Sequence, residues 1–280
     1  RRGIVFLRTF LILLALPLAS YAFAQEASDI IKALEENLSY LEYVTPHTEH
    51  STMVSIGHAN RLDTYLSPEE YEGTDIRFIS SSMRMSHGTW DKQFTHEGAI
   101  DYTHNRTENG KALAGHYDFA FSMLKPLDIA TNKLTIRAGF MSDIYLGFAY
   151  NMHNSSNNPA QGYAALSIGG AAVVTYKPYV FKKNIPITYE IRLPMVGMMF
   201  SPAFGQSYYE IFSNGNYDHN IVLTSIAVPQ LRHQLTIAYP ISKRTHIQIG
   251  YLGDYHQSKP NNLKQHIYTS SFIVGYTTGI

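Results

Sequence analysis

Cysteine is absent from all 280 residues. Its absence excludes disulfides, a cysteine-linked lipid anchor, thiolate zinc sites and thiol catalysis. Charge is sparse too: Asp, Glu, Lys and Arg make up 16% of the chain, against about 25% in an ordinary soluble domain. The 22 basic and 22 acidic residues cancel, so the basic excess of a nucleic-acid binder is missing. Past the N-terminus no apolar run reaches 18 residues, so membrane insertion of the mature chain would not be by helices. No P-loop, dinucleotide fingerprint, G-x-S-x-G elbow, EF-hand loop or H-x-x-x-H pair on a helix is present, and neither a cofactor nor a metal is expected. Tyrosine is plentiful instead, with 21 residues against a single Trp.

Arg1, Arg2 and Arg8 precede a short apolar run over 10–18, and Ala22-Phe23-Ala24 follows. This is the pattern of an export signal cleaved after residue 24. An anchor helix is the plain alternative, but the run falls short of the roughly 20 apolar residues that a span needs. Residues 25–48 are expected to form a periplasmic segment. Ile30, Ile31, Leu34, Leu38 and Leu41 recur at helical spacing there, so a short helix competes with a frayed tail.

From Glu49 the apolar period becomes two. Residues 133–150 read KLTIRAGFMSDIYLGFAY, which sets Leu134, Ile136, Phe140, Ile144, Leu146 and Phe148 on one face and Arg137 and Asp143 on the other. Similar strands are expected near 49–60, 74–86, 92–106, 111–124, 133–151, 161–177, 184–200, 219–240, 243–257 and 264–278. That is about ten strands, with twelve as the alternative count. Connections after odd strands are rich in Asn, Gly, Ser and Pro, and most of those after even strands are shorter and basic. A lipocalin-like soluble barrel also alternates, but soluble β-domains turn about every 8–12 residues. The expected fold is therefore all-β: a transmembrane up-and-down antiparallel β-barrel over 49–280, in the bacterial outer membrane, with both termini periplasmic. The apolar register would face lipid. Tyr117, Tyr150, Tyr163, Tyr176, Tyr189, Tyr239, Tyr251 and Tyr276 would supply aromatic girdles, and Gly139, Gly147, Gly169 and Ala171 would relieve crowding in the lumen.

The stretches HANRLDTYLSPEEYEGTDIRFIS (58–80), NYDHN (216–220), LRHQLTIAYPI (231–241) and NNLKQHIYTSSFIVGYTTG (261–279) carry a resemblance. The chain resembles an outer-membrane β-barrel family of Bacteroides-type bacteria, described as a domain of unknown function. The resemblance covers nearly all of the mature chain and implies fold and location, with no active site to transfer. The terminal Ile280 departs from the aromatic end of many barrel strands.

Three groups of residues are candidates for chemistry or contact. The inward register offers a lumen polar network of Glu97, Asp101, His116, Asp118, Arg137, Asp143, Glu190, Arg192, Arg232 and His246, with Gln234 and Gln248. A plug of paired charges is the plain reading and a narrow porin the functional one. Arg137 and Asp143 are roughly 20 Å apart along one strand, so each needs a partner from a neighbouring strand. Asp118 or His116 is expected to serve, or a small side chain of strand six. Arg137→Leu should destabilise the barrel and Ile136→Leu should barely matter. At the loop rim, His58, Asp63, His104 and His153 join Asp218, His219, Asp254 and His256, and the last four are the candidates for a surface hydrolase. The segments RLDTYLSPEEYEG (61–73) and YYEIF (208–212) are candidate lids, or contacts for an envelope protein partner. In the first, Pro68 and Gly73 would shape turns of an extracellular loop. Outer-membrane lipid is the other expected partner.

Overall fold

The structure is a computed structural model. It describes residues 47–279 apart from 87–89, 128–132, 153–158, 182 and 218, together with Lys32. The export signal and the helix expected before residue 47 lie outside the described residues.

The strands are β1 (His47–Asp63), β2 (Ser67–Met85), β3 (Asp91–Asn105), β4 (Lys111–Pro126), β5 (Leu134–Asn151), β6 (Ala160–Tyr176), β7 (Tyr179–Val180), β8 (Lys183–Asn184), β9 (Ile187–Phe200), β10 (Ile221–Ser225), β11 (Leu231–Pro240), β12 (Thr245–Ser258) and β13 (Gln265–Gly279). A short helix α1 (Tyr208–Phe212) precedes β10. All pairings are antiparallel. β1 pairs with β13 and β6 pairs with β9, so the sheet closes on itself. β10 and β11 together occupy one wall position beside β9, which makes a ten-stranded closed barrel.

That shared position corrects the single strand expected over 219–240. β9 meets β11 as far as Arg192 and β10 from Val196 onward. Between them lies Pro194, which has no N–H to give a ladder, and Pro229 sits in the connector from β10 to β11. The register of β9 on β6 also slips between Ile168 and Gly169, as a bulge does. Gly169 is needed there because a Cβ would collide with the Leu193 carbonyl oxygen. Gly139 is held in the same way by the Met123 carbonyl of β4. Both glycines therefore answer to a neighbouring backbone, rather than to crowding in the lumen.

The period of two is cleanest in β3. Asp91, Gln93, Thr95, Glu97, Ala99, Asp101, Thr103 and Asn105 are buried, while Lys92, Phe94, His96, Ile100, Tyr102 and His104 are exposed. In β5 Arg137, Met141, Asp143, Tyr145, Ala149 and Asn151 are buried, and Phe140, Ile144, Leu146, Phe148 and Tyr150 are exposed. The outer surface is thus the greasy one. Ile56, Phe78, Ile100, Phe140, Ile168 and Phe272, on six different strands, are each more than half exposed. A monomer in water rarely shows a contiguous apolar patch beyond a few hundred Å². Strands of 14–19 residues exceed the 9–11 or so that a tilted strand needs to cross hydrocarbon. Tyr176, Tyr189, Tyr239 and Tyr276 face outward toward the rim that carries both chain ends of the barrel. Tyr163 was expected beside them but turns inward, where its hydroxyl donates to Asp63 Oδ2 at 2.6 Å.

The two rims differ less than the alternation of connections suggested. The first connection at the far rim is only residues 64–66, and the near rim carries the β7–β8 hairpin between β6 and β9. Asp63 shapes the short turn: its Oδ1 accepts the Tyr65 N–H at 2.9 Å and its backbone oxygen accepts the Leu66 N–H at 3.0 Å. Pro68 and Gly73 lie inside β2 and shape no turn.

Candidate functional site

The inside of the barrel is built in layers. Near the chain-end rim, Arg137 Nε donates to Asp91 Oδ2 at 2.8 Å. Above it, inward side chains of β1, β2, β12 and β13 form an apolar layer of Met53, Ile79, Leu252 and Ile273. A second apolar cluster joins Leu124, Met141, Ala171 and Val173. Two residues further along the same strands the layer turns ionic, because every inward step advances by two.

Arg77 is the centre of the ionic layer and is 1% exposed. Its Nε donates to Asp75 Oδ1 at 2.7 Å. Its Nη1 donates to Glu97 Oε1 and Asp254 Oδ2, both at 2.6 Å. Its Nη2 donates to Thr269 Oγ1. One guanidinium therefore ties β2 to β3, β12 and β13 across the lumen. Arg232 donates to the other oxygen of Glu97, and His116 Nε2 lies 3.6 Å from Glu97 Oε1. Arg192 lies 3.6 Å from Asp118 and 3.7 Å from Glu190, whose second oxygen accepts from Gln93. Higher up, Arg61 grips Asp101 with two N–H groups, at 3.3 and 2.7 Å. Paired geometry of this kind is what makes buried charge tolerable.

Of the ten residues expected in the lumen network, Glu97, Asp101, His116, Asp118, Arg137, Asp143, Arg192 and Arg232 are buried, and Glu190 and His246 are half-buried. The partner of Arg137 differs from expectation, whereas that of Asp143 is a small side chain of the sixth strand, as expected. Arg137 reaches past β4 to Asp91 of β3, and meets neither Asp118 nor His116. Asp143 accepts from Ser167 of β6. Arg61, Asp75, Arg77 and Asp91 were not among the expected residues. Asp75 and Arg77 could have been found by extending the alternation of TDIRF in β2. Arg61 was hidden because β1 runs three residues beyond its expected end.

The four hydrolase candidates do not form one site at the rim. Asp218 lies outside the described residues, as does His153. His219 is exposed, and its backbone oxygen accepts from Asn261. Asp254 is buried in the ionic layer, and His256 Nε2 stands 3.0 Å from its Oδ1. Of the remaining rim residues, His104 and His58 are exposed and Asp63 is buried at the mouth. Glu97, His116 and Asp254 place ligand atoms within 4.8 Å of one another, the spacing of a metal site. The Arg77 guanidinium already stands between Glu97 and Asp254 and supplies the positive charge there.

The far mouth is covered from within the chain. Helix α1 is started by a capping box between Ser207 and Glu210. The Ser207 N–H bond to the Glu210 carboxylate holds that group below the usual range. Tyr208 accepts the Gly162 N–H at 2.6 Å and donates to Gln161 Oε1 at 2.9 Å. Tyr65 donates to the Gln206 carbonyl at 2.8 Å and packs edge-on against Tyr208. Burial beside Tyr208 and the carboxylates of Asp63 and Glu210 pushes the Tyr65 phenol up to about 12, so it remains a donor. Ile211 is buried beneath the helix, while Phe204, Tyr209, Phe212 and Tyr217 stay exposed.

A family model matches residues 9–280, nearly the whole chain. The chain belongs to the family DUF3316, a protein of unknown function. No curated protein matches it. Among solved structures, this member of the family is similar to the outer-membrane protease OmpT from Escherichia coli, with a TM-score of 0.47 and 7% identity over 84% of this chain and 97% of that one. It is also similar to the translocator domain of autotransporter NalP from Neisseria meningitidis, with a TM-score of 0.43 and 8% identity over 92% and 97% of the two chains. Neisserial surface protein A follows with a TM-score of 0.37 and 10% identity over 82% and 96%. The closed antiparallel barrel itself rests on this chain's own strand pairings. The activities in those names belong to those proteins. A Bacteroides-type source, implied by the sequence resemblance, finds no support in these matches.

Proposed function

We propose that this barrel resides in the bacterial outer membrane as a non-enzymatic, non-conducting envelope component, with both termini on the periplasmic side. One observation carries the reading: Arg77 spans the lumen and binds three carboxylates and a hydroxyl from four strands. A ten-stranded barrel is only slightly wider than the eight-stranded kind that side chains fill. With apolar layers on one side of Arg77 and the capped mouth on the other, little room remains for a water column. The exposed aromatics around α1 would be the contact for an envelope protein partner, and the outer belt the contact for lipid.

The hydrolase reading retains the Asp254–His256 contact, which resembles a carboxylate-oriented base. Against it, the Ser167 hydroxyl on β6, which lines the same pocket as His256, donates to Asp143 instead of to that base. The narrow-porin reading is opposed by the same ionic plug.

Planar-bilayer recording separates these readings. The purified full chain is expected to insert in a heat-modifiable form and to give no steady conductance. Stable nanosiemens steps would overturn the proposal.

A further inference from the structure

The chain-end rim is basic, most densely so on the half that runs from β4 through β5, β6, β9 and β11 to β12. Lys125, Lys133, Lys177, Lys243 and Arg244 are exposed there, and Lys183 joins them half-buried. The three connections on this half, residues 127–133, 177–186 and 241–244, carry a single carboxylate in their sequence, Asp128. The far mouth differs, since it mixes exposed Glu69, Glu70, Glu72, Glu108 and Glu210 with its basic residues.

The β7–β8 hairpin stands in the middle of the basic half. Phe181 sits at its tip with φ +49°, in the left-handed region that a bulky side chain rarely takes. Asn and Gly are the favoured residues of such a two-residue loop. The Phe181 ring is 83% exposed, so packing inside the protein does not account for it. Tyr179 and Val180 before it are exposed as well. Lys183 fixes which way the tip faces. Its Nζ donates to the Pro240 carbonyl at 2.9 Å and to the Tyr239 hydroxyl at 3.2 Å, and stands 4.4 Å from the centre of the Tyr239 ring. Tyr239 is on the outward face of β11, beside the outward Tyr176 and Tyr189 that flank the hairpin. The hairpin therefore leans on the outer wall at the tyrosine belt, rather than across the lumen.

From this arrangement we infer that the chain-end rim binds anionic phospholipid of the periplasmic leaflet, with the β7–β8 hairpin as its anchor. Phe181 and Tyr179 enter the boundary between headgroups and acyl chains, where aromatic rings favour the interface. Lys177, Lys183, Lys243 and Arg244 take the phosphate, as basic clusters beside a membrane surface do. Lys183 uses two of its three N–H groups within the protein and keeps one for a phosphate oxygen. The inference rests on the membrane location proposed above, and adds to it the class of lipid and the place where it is held.

The test uses the full chain carrying Trp90→Phe and Phe181→Trp, which moves the single tryptophan to the hairpin tip. It is reconstituted in phosphatidylcholine liposomes doped, at one mole fraction, with either phosphatidylglycerol or phosphatidylcholine whose acyl chains are brominated. Both brominated lipids are expected to quench the tip fluorescence, because the ring lies at the acyl boundary. At low salt the phosphatidylglycerol should show a local preference of about fivefold or more, the share of one well-placed cation, and added salt should erode it. Lys177→Gln with Lys243→Gln and Arg244→Gln should lose most of that preference and keep the quenching by phosphatidylcholine. These three side chains are exposed, and the salt series does not depend on whether the triple variant folds. The unmodified chain, purified from a mixture of the two lipids, should retain phosphatidylglycerol in excess. Quenching by neither lipid would place the tip in water or beneath a protein partner and overturn the inference. Equal quenching by both at low salt, or no enrichment on the unmodified chain, would overturn it too. A chain soluble without detergent overturns the membrane location itself.

Discussion

Arg77→Leu is expected to lose the folded barrel under conditions where the parent keeps it. The guanidinium is the common partner of Asp75, Glu97 and Asp254, and water does not reach any of them. Removing it leaves three carboxylates facing one another with Arg232 as the remaining strong partner of Glu97. Breaking a buried ion pair by removing one member costs about 3–5 kcal/mol, because the stranded charge keeps its desolvation penalty. The neighbouring Ile76 points outward, and Ile76→Leu should change stability by less than about 0.5 kcal/mol. The check is a urea titration in detergent, followed by the heat-modifiable gel shift. Equal midpoints for Arg77→Leu and Ile76→Leu would remove the central role given to Arg77. Arg137→Leu should fall between the two, since Arg137 holds one carboxylate near a rim.

The second large effect concerns the outside. Ile144 lies mid-strand in β5, opposite Phe119 of β4 and Leu166 of β6, and is exposed. An arginine on the lipid face of a membrane barrel costs about 2–4 kcal/mol near the midplane. On a water-facing surface the same change would usually stay within about 0.5 kcal/mol. Ile144→Arg is therefore expected to shift reversible unfolding in liposomes by the larger figure. A shift of a few tenths would place that face in water.

Much of this was legible in the sequence because a strand encodes its two faces directly. The alternation in 133–150 needs no knowledge of neighbours to separate Phe140 and Ile144 from Arg137 and Asp143. Partners are another matter. Arg137 meets Asp91 two strands away, and that depends on the stagger of closed strands, which no single strand carries. Asp254 and His256 are two residues apart and so share a face, but their depth below the mouth was invisible until the register of β11, β12 and β13 was known. The split of β10 from β11 had a local signal in Pro194 and Pro229. It was masked by the apolar residues of 221–226, which continue a strand pattern up to the break.

The most direct test of a barrel turned greasy side out is a nitroxide scan. Single cysteines at 138–150 are clean reporters in a chain that has none of its own. In liposomes, collision with oxygen, which concentrates in lipid, should peak at the even positions with Phe140, Ile144, Leu146 and Phe148. A water-soluble relaxing agent should fail to reach those positions. Even positions that respond to the water-soluble agent, or a scan with no period of two, would contradict the assignment of lipid to the outer face.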